Sequence, residues 1–140
     1  MASFNKFESF VEALAEKTHD LGSDVLKLAL TNTAPTASDT VFDPGGAHPP
    51  PAAANGYAAT QATISSSEQA GGTYKLVLAD VVFTAAGGQI GPFRYALLYN
   101  DTAASDEVIG WWDYGSSITL ADGETFTVDF DPTAGVLTIA

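Results

Sequence analysis

The sequence predicts a mainly β fold, an antiparallel β-sandwich or jelly-roll-like domain with one N-terminal amphipathic helix. Three observations predict it. After residue 24, apolar residues alternate with period two in a succession of short segments. Clusters of Gly, Pro, Asn and Asp separate those segments. One stretch near the N-terminus repeats with the helical period instead. With 140 residues, 46% of them hydrophobic, the chain 1–140 suffices for one domain with one core.

The helix is expected over residues 5–21. Asn5 is placed to cap it, and Glu8 three residues later completes a capping-box pattern. Phe4, Phe7, Val11, Leu14, Thr18 and Leu21 share one face, with Phe10 at its edge, and Gly22 supplies the stop. The opposite side repeats an acid every fourth residue: Glu8, Glu12, Glu16, Asp20. Such like-charge pairs repel by about 0.2–0.5 kcal/mol each, and Asp20 sits at the unfavourable end of the helix dipole. The stripe is either a plainly solvated face or a docking face for a basic partner.

Leu26, Leu28 and Leu30 alternate with Val25, Lys27 and Ala29, the pattern of a half-buried strand. Residues 32–56 break the pattern with five of the seven prolines and three glycines. They predict a long surface loop, extended and polyproline-like at His48–Pro51, either a mobile connection or an arm that orders on a partner. The main strands are expected over residues 60–140. TQATISSS is weak; TYKLVLADVVFT is long, with a bulge or bend near Asp80. FRYALLYN, VIGWWDYG, SITL, TFTVDF and VLTIA follow, with Asp122-Gly123 as a hairpin signal.

Seventeen acids against five bases give a net charge of −12. Nucleic-acid binding needs clustered cations to displace phosphate counterions, and Lys6, Lys17, Lys27, Lys75 and Arg94 are scattered. Neither nucleic acid nor an anionic membrane is an expected partner. A basic protein surface is. No cysteine is present, which removes disulfides and thiolate metal sites. Glu8 and Glu12 interrupt the N-terminal stretch, so it does not read as a secretory signal, and no apolar run approaches the roughly 18 residues of a membrane span. Synthesis in a cytosol is the expectation.

No catalytic residue, cofactor or metal site is expected. His19 and His48 lie in no nucleophile or zinc spacing. The acid pairs Asp129/Asp131, Asp122/Glu124 and Asp106/Glu107 sit at turns, where Asp is favoured for local hydrogen bonds rather than paired acid–base work. Trp111-Trp112-Asp113-Tyr114 suggests either an aromatic contact with a protein or a sugar platform, and successive strand residues point to opposite faces. The interface candidates are therefore Glu8, Glu12, Glu16, His48, Pro50, Trp111, Trp112 and Tyr114.

Over FNKFESFVEALAEKTHDLGSDVLKLALTNTAP, TYKLVLADVVFTAAGGQIGPFRYALLYND and IGWWDYGSSITLADGETFTVDF the chain resembles the capsid cement, or decoration, proteins of short-tailed bacteriophages. The resemblance implies a jelly-roll-type sandwich on the outer surface of an icosahedral head. It also implies homodimers that clamp neighbouring capsomers of the major capsid protein, with no active-site residues. A carbohydrate-binding sandwich of a phage tail or fibre is the alternative.

Overall fold

The computed structural model describes residues 2–140. In chain order it contains β1 (Asn5–Lys6), α1 (Ser9–Ala15), β2 (Leu26–Thr31), β3 (Thr60–Gln61), β4 (Ile64–Ala70), β5 (Thr73–Leu78), β6 (Val81–Thr84), β7 (Ile90–Asn100), β8 (Val108–Leu120), β9 (Thr125–Val128) and β10 (Leu137–Ile139). One antiparallel sheet has the order β1-β8-β7-β2-β3. A three-stranded sheet, β10-β5-β4, and a two-stranded one, β6-β9, supply the facing layer. The expected mainly β, antiparallel architecture with one N-terminal helix is what the chain adopts, although that helix is short.

Register explains the layering. Leu26, Leu28 and Leu30 oppose Asn100, Leu98 and Ala96, which places the three leucines on the inner face. There they pack with Phe93 and Trp112 of their own sheet and with Leu76, Leu78, Phe83 and Val128 from the facing strands. Each fully buried leucine contributes roughly 1.5–3 kcal/mol of transfer free energy. The intervening residues Ala29, Leu97, Tyr99 and Val108 form a second cluster on the outer face with Phe7, against which Phe42 and Trp111 pack. β2 is therefore buried on both sides, where its alternation predicted one.

Two further expectations change. The helix spans Ser9–Ala15 and not 5–21. Asn5 and Lys6 pair instead with Trp111 and Gly110 of β8, so a tertiary ladder claims the residues expected to start the helix. Glu8 occupies the cap position without a side-chain cap bond. At the other end, Lys17 turns to φ 70°, and the Asp20 carboxylate accepts Gly22 N–H at 3.1 Å and Ser23 Oγ–H at 2.7 Å. That local turn competes with helix. Val11, assigned to the buried face, is 54% exposed, while Phe7 and Phe10 go to opposite clusters.

The bend expected near Asp80 separates β5 from β6, and Asp80 Oδ1 accepts the Phe130 N–H at 2.8 Å. VIGWWDYG and SITL join into the single strand β8. Asp122-Gly123 does make a turn, closed by Glu124 N–H to Ala121 O at 2.9 Å. It does not join a hairpin, because β8 pairs with β7 and β1 while β9 pairs with β6.

Candidate functional site

The loop 32–56 is a packed cover on the outer face of the five-stranded sheet. Phe42 stacks on Tyr99 with ring centroids 4.5 Å apart, and Thr31 Oγ1 donates to Pro49 O at 2.9 Å. Phe42 N–H donates to Asp106 O and Val108 N–H to Thr40 O, around the isolated bridge Val41–Glu107. His48, expected on the surface of an extended arm and named as an interface candidate, is 0% exposed. Its Nδ1 accepts the Asp43 N–H at 3.1 Å, which puts the proton on Nε2, 3.0 Å from Asp39 Oδ2. An imidazole with both nitrogens engaged is a cheap way to bury polar atoms beneath a loop. Pro50 remains exposed, whereas Pro51 is buried.

The helix, the loop and Trp111 come together at Phe7. Its ring lies 4.5 Å from that of Trp111, on the outer face. Glu8 N–H, one residue on, donates to Ala37 O of the loop at 2.9 Å. Glu8, Glu12 and Glu16 are exposed along the short helix and its flanks, so helix, loop and Trp111 make one continuous outer surface. Asp20 has left the acidic stripe for its turn.

Trp112 and Tyr114 face the other way. Trp112 is 7% exposed, in the inner core, with Phe4 at 5.4 Å and Phe130 at 5.5 Å. Trp111 is half-buried against Phe7, and Trp112 belongs to the core. Tyr114 packs edge-on to Phe126, and burial, with Asp129 nearby, pushes its phenol up to about 12. With Asp113 and Asp129, Trp112 and Tyr114 line a cleft of about 480 Å³. Arg94 grips Asp113 through two bonds, Nε to Oδ1 at 2.8 Å and Nη2 to Oδ2 at 3.1 Å. That pairing and the Gly115 N–H hold the Asp113 carboxyl below its ordinary range.

Of the paired acids, Asp131, Asp122 and Glu124 accept backbone N–H groups at turns, whereas Glu107 lies in the bridge to Val41. Asp131 Oδ1 accepts Thr133 and Ala134 N–H groups, which lowers its pKa. Asp122 Oδ1 accepts the Gly87 N–H, and Glu124 Oε1 the Ala121 N–H. Among the described residues no group of three His, Asp or Glu is arranged to hold a metal ion.

One polar cluster was not anticipated. His19, which falls in the last turn of the expected helix, is 5% exposed, with its ring 5.4 Å from that of Phe10. Asn100 Nδ2 donates to His19 Nδ1 at 2.9 Å and to Asp24 Oδ2 at 2.7 Å, while Asn100 Oδ1 accepts the Thr102 and Ala103 N–H groups. His19 Nε2 and Glu107 Oε2 are buried without a hydrogen-bond partner among the described residues. Desolvation lowers the His19 pKa against the opposing pull of Glu107 and Asp24. The members lie far apart in sequence, so no spacing could have revealed them.

No family model, curated protein or solved structure matches the chain.

Proposed function

We propose that this chain is a non-enzymatic virion structural protein that binds the outer surface of a phage head and cements neighbouring capsomers of the major capsid protein. The observation that carries the reading is the disposition of charge on a β-scaffold. Of five cations, Lys27 is paired with Asp101 at 3.1 Å and Arg94 with Asp113, so the surface offered to a partner is overwhelmingly anionic. Such a surface is repelled by packaged nucleic acid and attracted to basic protein. The resemblance of the three segments quoted above supports naming the head as that partner, and homodimers as the working unit. Two-fold pairing would give an open sheet edge a partner. A dimer touching two capsomers also gains from the high effective concentration of its second contact.

The test is addition of purified protein to heads that lack it. Saturable co-sedimentation at a fixed, high copy number, with new density outside the shell, is the expected result. Failure to sediment with heads at low salt rejects the reading.

A second reading, a carbohydrate-binding sandwich of a tail or fibre, is favoured by one observation, the cleft shared by Trp112, Tyr114, Asp113 and Asp129. Saturable glycan binding lost in Asp129→Ala, with the fold intact, would select it over the first.

A further inference from the structure

Asn100 ends β7 opposite Leu26, and there His19 and Asp24 reach it from the segment joining α1 to β2. The orientation of its amide is settled without reference to His19. Asn100 Oδ1 accepts the Thr102 and Ala103 N–H groups at 3.0 and 3.1 Å, and Nδ2 donates to Asp24 Oδ2 at 2.7 Å. The group 2.9 Å from His19 Nδ1 is therefore the NH2, which can only donate. His19 Nδ1 must offer a lone pair, so the ring fits as the neutral Nε2–H tautomer. A protonated imidazole carries N–H on both nitrogens and would set donor against donor. Turning the amide over is no remedy. Its NH2 would then face two backbone N–H groups, and its oxygen would face the Asp24 carboxylate. The same two pieces of chain are also joined by Asp101 N–H to Val25 O and Val25 N–H to Thr102 Oγ1, both at 2.8 Å.

We propose that His19 and Asn100 form an acid-sensitive latch between the α1–β2 segment and the loop 101–107, closed while His19 is neutral and opened when its ring is protonated. The open state is the one that suits a cation. Released from Asn100, the imidazolium can pair with Asp24 or with Glu107, whose Oε2 is buried without a hydrogen-bond partner among the described residues. Burial is the larger influence on the closed ring and favours the neutral form, while Glu107 and Asp24 pull the other way. The remaining ionisable groups near this end are Lys17, Asp20 and, from β5, Tyr74, which line the adjoining groove. On the loop itself, Asp101 is paired with Lys27 at 3.1 Å, and Asp106 precedes Glu107. From α1 the Phe10 ring packs on the imidazole. With the folded pKa lowered, the latch is at full strength above the ordinary 6.5 and weakens as the pH falls. Opening lifts cover from Phe10 and Leu21, which are buried when it is closed. The other histidine, His48, lies under the Pro-rich loop on the outer face and takes no part. The latch is independent of the cementing role and stands or falls without it.

The test is histidine NMR and amide hydrogen exchange on the full chain, from about pH 7.5 to about pH 4.5. Exchange is expressed as protection factors, which removes the intrinsic pH dependence of the rate. At the upper pH the His19 ring is expected as the Nε2–H tautomer. As it gains its second proton, protection at Asp101, Thr102 and Ala103 falls about ten-fold or more, while Ala29 and Leu97, opposed in the β2–β7 ladder, keep theirs. His19→Asn, whose amide oxygen accepts from Asn100 without titrating, holds the loop protected throughout. Asn100→Asp combined with Asp24→Asn reverses the pattern, because a carboxylate facing Nδ1 accepts from the charged ring. His19 then titrates at higher pH than in the parent, and the loop stays protected in acid. Should that double variant fold poorly, His19→Asn decides alone. A ring that is protonated with Thr102 and Ala103 still protected overturns the proposal. So does a ring still neutral at the lowest pH, a loss shared by Ala29 and Leu97, or a parent-like profile in His19→Asn.

Discussion

His48 Nε2 stands 3.0 Å from Asp39 Oδ2 beneath the Pro-rich loop, and the two residues tie that loop to itself across its centre. With Nδ1 held by the Asp43 N–H, the ring has no free nitrogen and no exposed surface. A segment whose composition suggests mobility is thereby held by contacts within the chain. The physical reason is that Phe42 stacks between His48 and Tyr99, covering apolar surface that the sheet would otherwise expose.

The loop should therefore resist protease in the free protein. His48→Ala leaves the Asp43 N–H and Asp39 without their buried partner, a loss of about 1–3 kcal/mol. Expected results are a lower denaturation midpoint and new cleavage between residues 32 and 56. Equal cutting of parent and variant would show that the loop is not fastened by this residue.

A pH dependence follows from His19. Its pKa in the folded chain is lowered from 6.5 by burial, so the unfolded chain binds more protons between the two values. Stability is then full above pH 6.5 and declines as the pH falls through the lowered folded pKa, with Asp24 and Glu107 moderating the decline. Carboxylates held low, such as Asp113 and Asp131, lose their contribution only further down, below their ordinary 3.8. Asp106, whose pKa is raised by burial, acts in the opposite sense near its own range. In urea titrations between pH 7 and 5, His19→Gln should flatten the slope. An unchanged slope would remove His19 as its source.

What the sequence made legible, and what it did not, divides on the distance over which the cause acts. Alternation in LKLALT and FRYALLYN identified strands because period two is a local property, and Asp80 marked a bend because Asp interrupts an apolar run. The helix was overextended because Asn5 and Lys6 satisfy the helical pattern and yet bond to a strand more than a hundred residues away. Trp111 and Trp112 could be sent to opposite faces by parity alone. That both faces are covered depends on Phe7 and the 32–56 loop arriving from elsewhere. The same holds for His19, whose burial is decided by Asn100 on β7.

The acidic helix gives a prediction that separates docking from solvation. Glu8, Glu12 and Glu16 are exposed, and Glu→Gln at all three should change stability by no more than about 0.5 kcal/mol. If this face meets a basic surface, head association falls at low salt, and the difference between variant and parent fades near 1 M, where the Debye length is about 3 Å. Sedimentation across a salt series reads both. Identical curves at every salt would return the stripe to plain solvation.

Gly110 tests how the N-terminal strand is seated. It opposes Lys6 of β1 on one side and Leu98 of β7 on the other. A Cβ built there would meet the Phe4 ring and the Asn5 carbonyl oxygen, at 2.8 Å from the latter. Phe4 in turn leans on Trp112. Gly110→Ala must therefore push Phe4 and β1 outward, an overpacking cost of about 1–3 kcal/mol. Gly45→Ala is the matched control, since its Cβ would meet only Asp43 Oδ1, at 3.9 Å. Chemical denaturation should show a loss for the first and a change within about 0.5 kcal/mol for the second. Hydrogen exchange at the Phe7 amide, which bonds Ile109 O at 3.1 Å, should accelerate in Gly110→Ala alone. If the two substitutions behave alike, the close approach of Phe4 is not what requires glycine at this position.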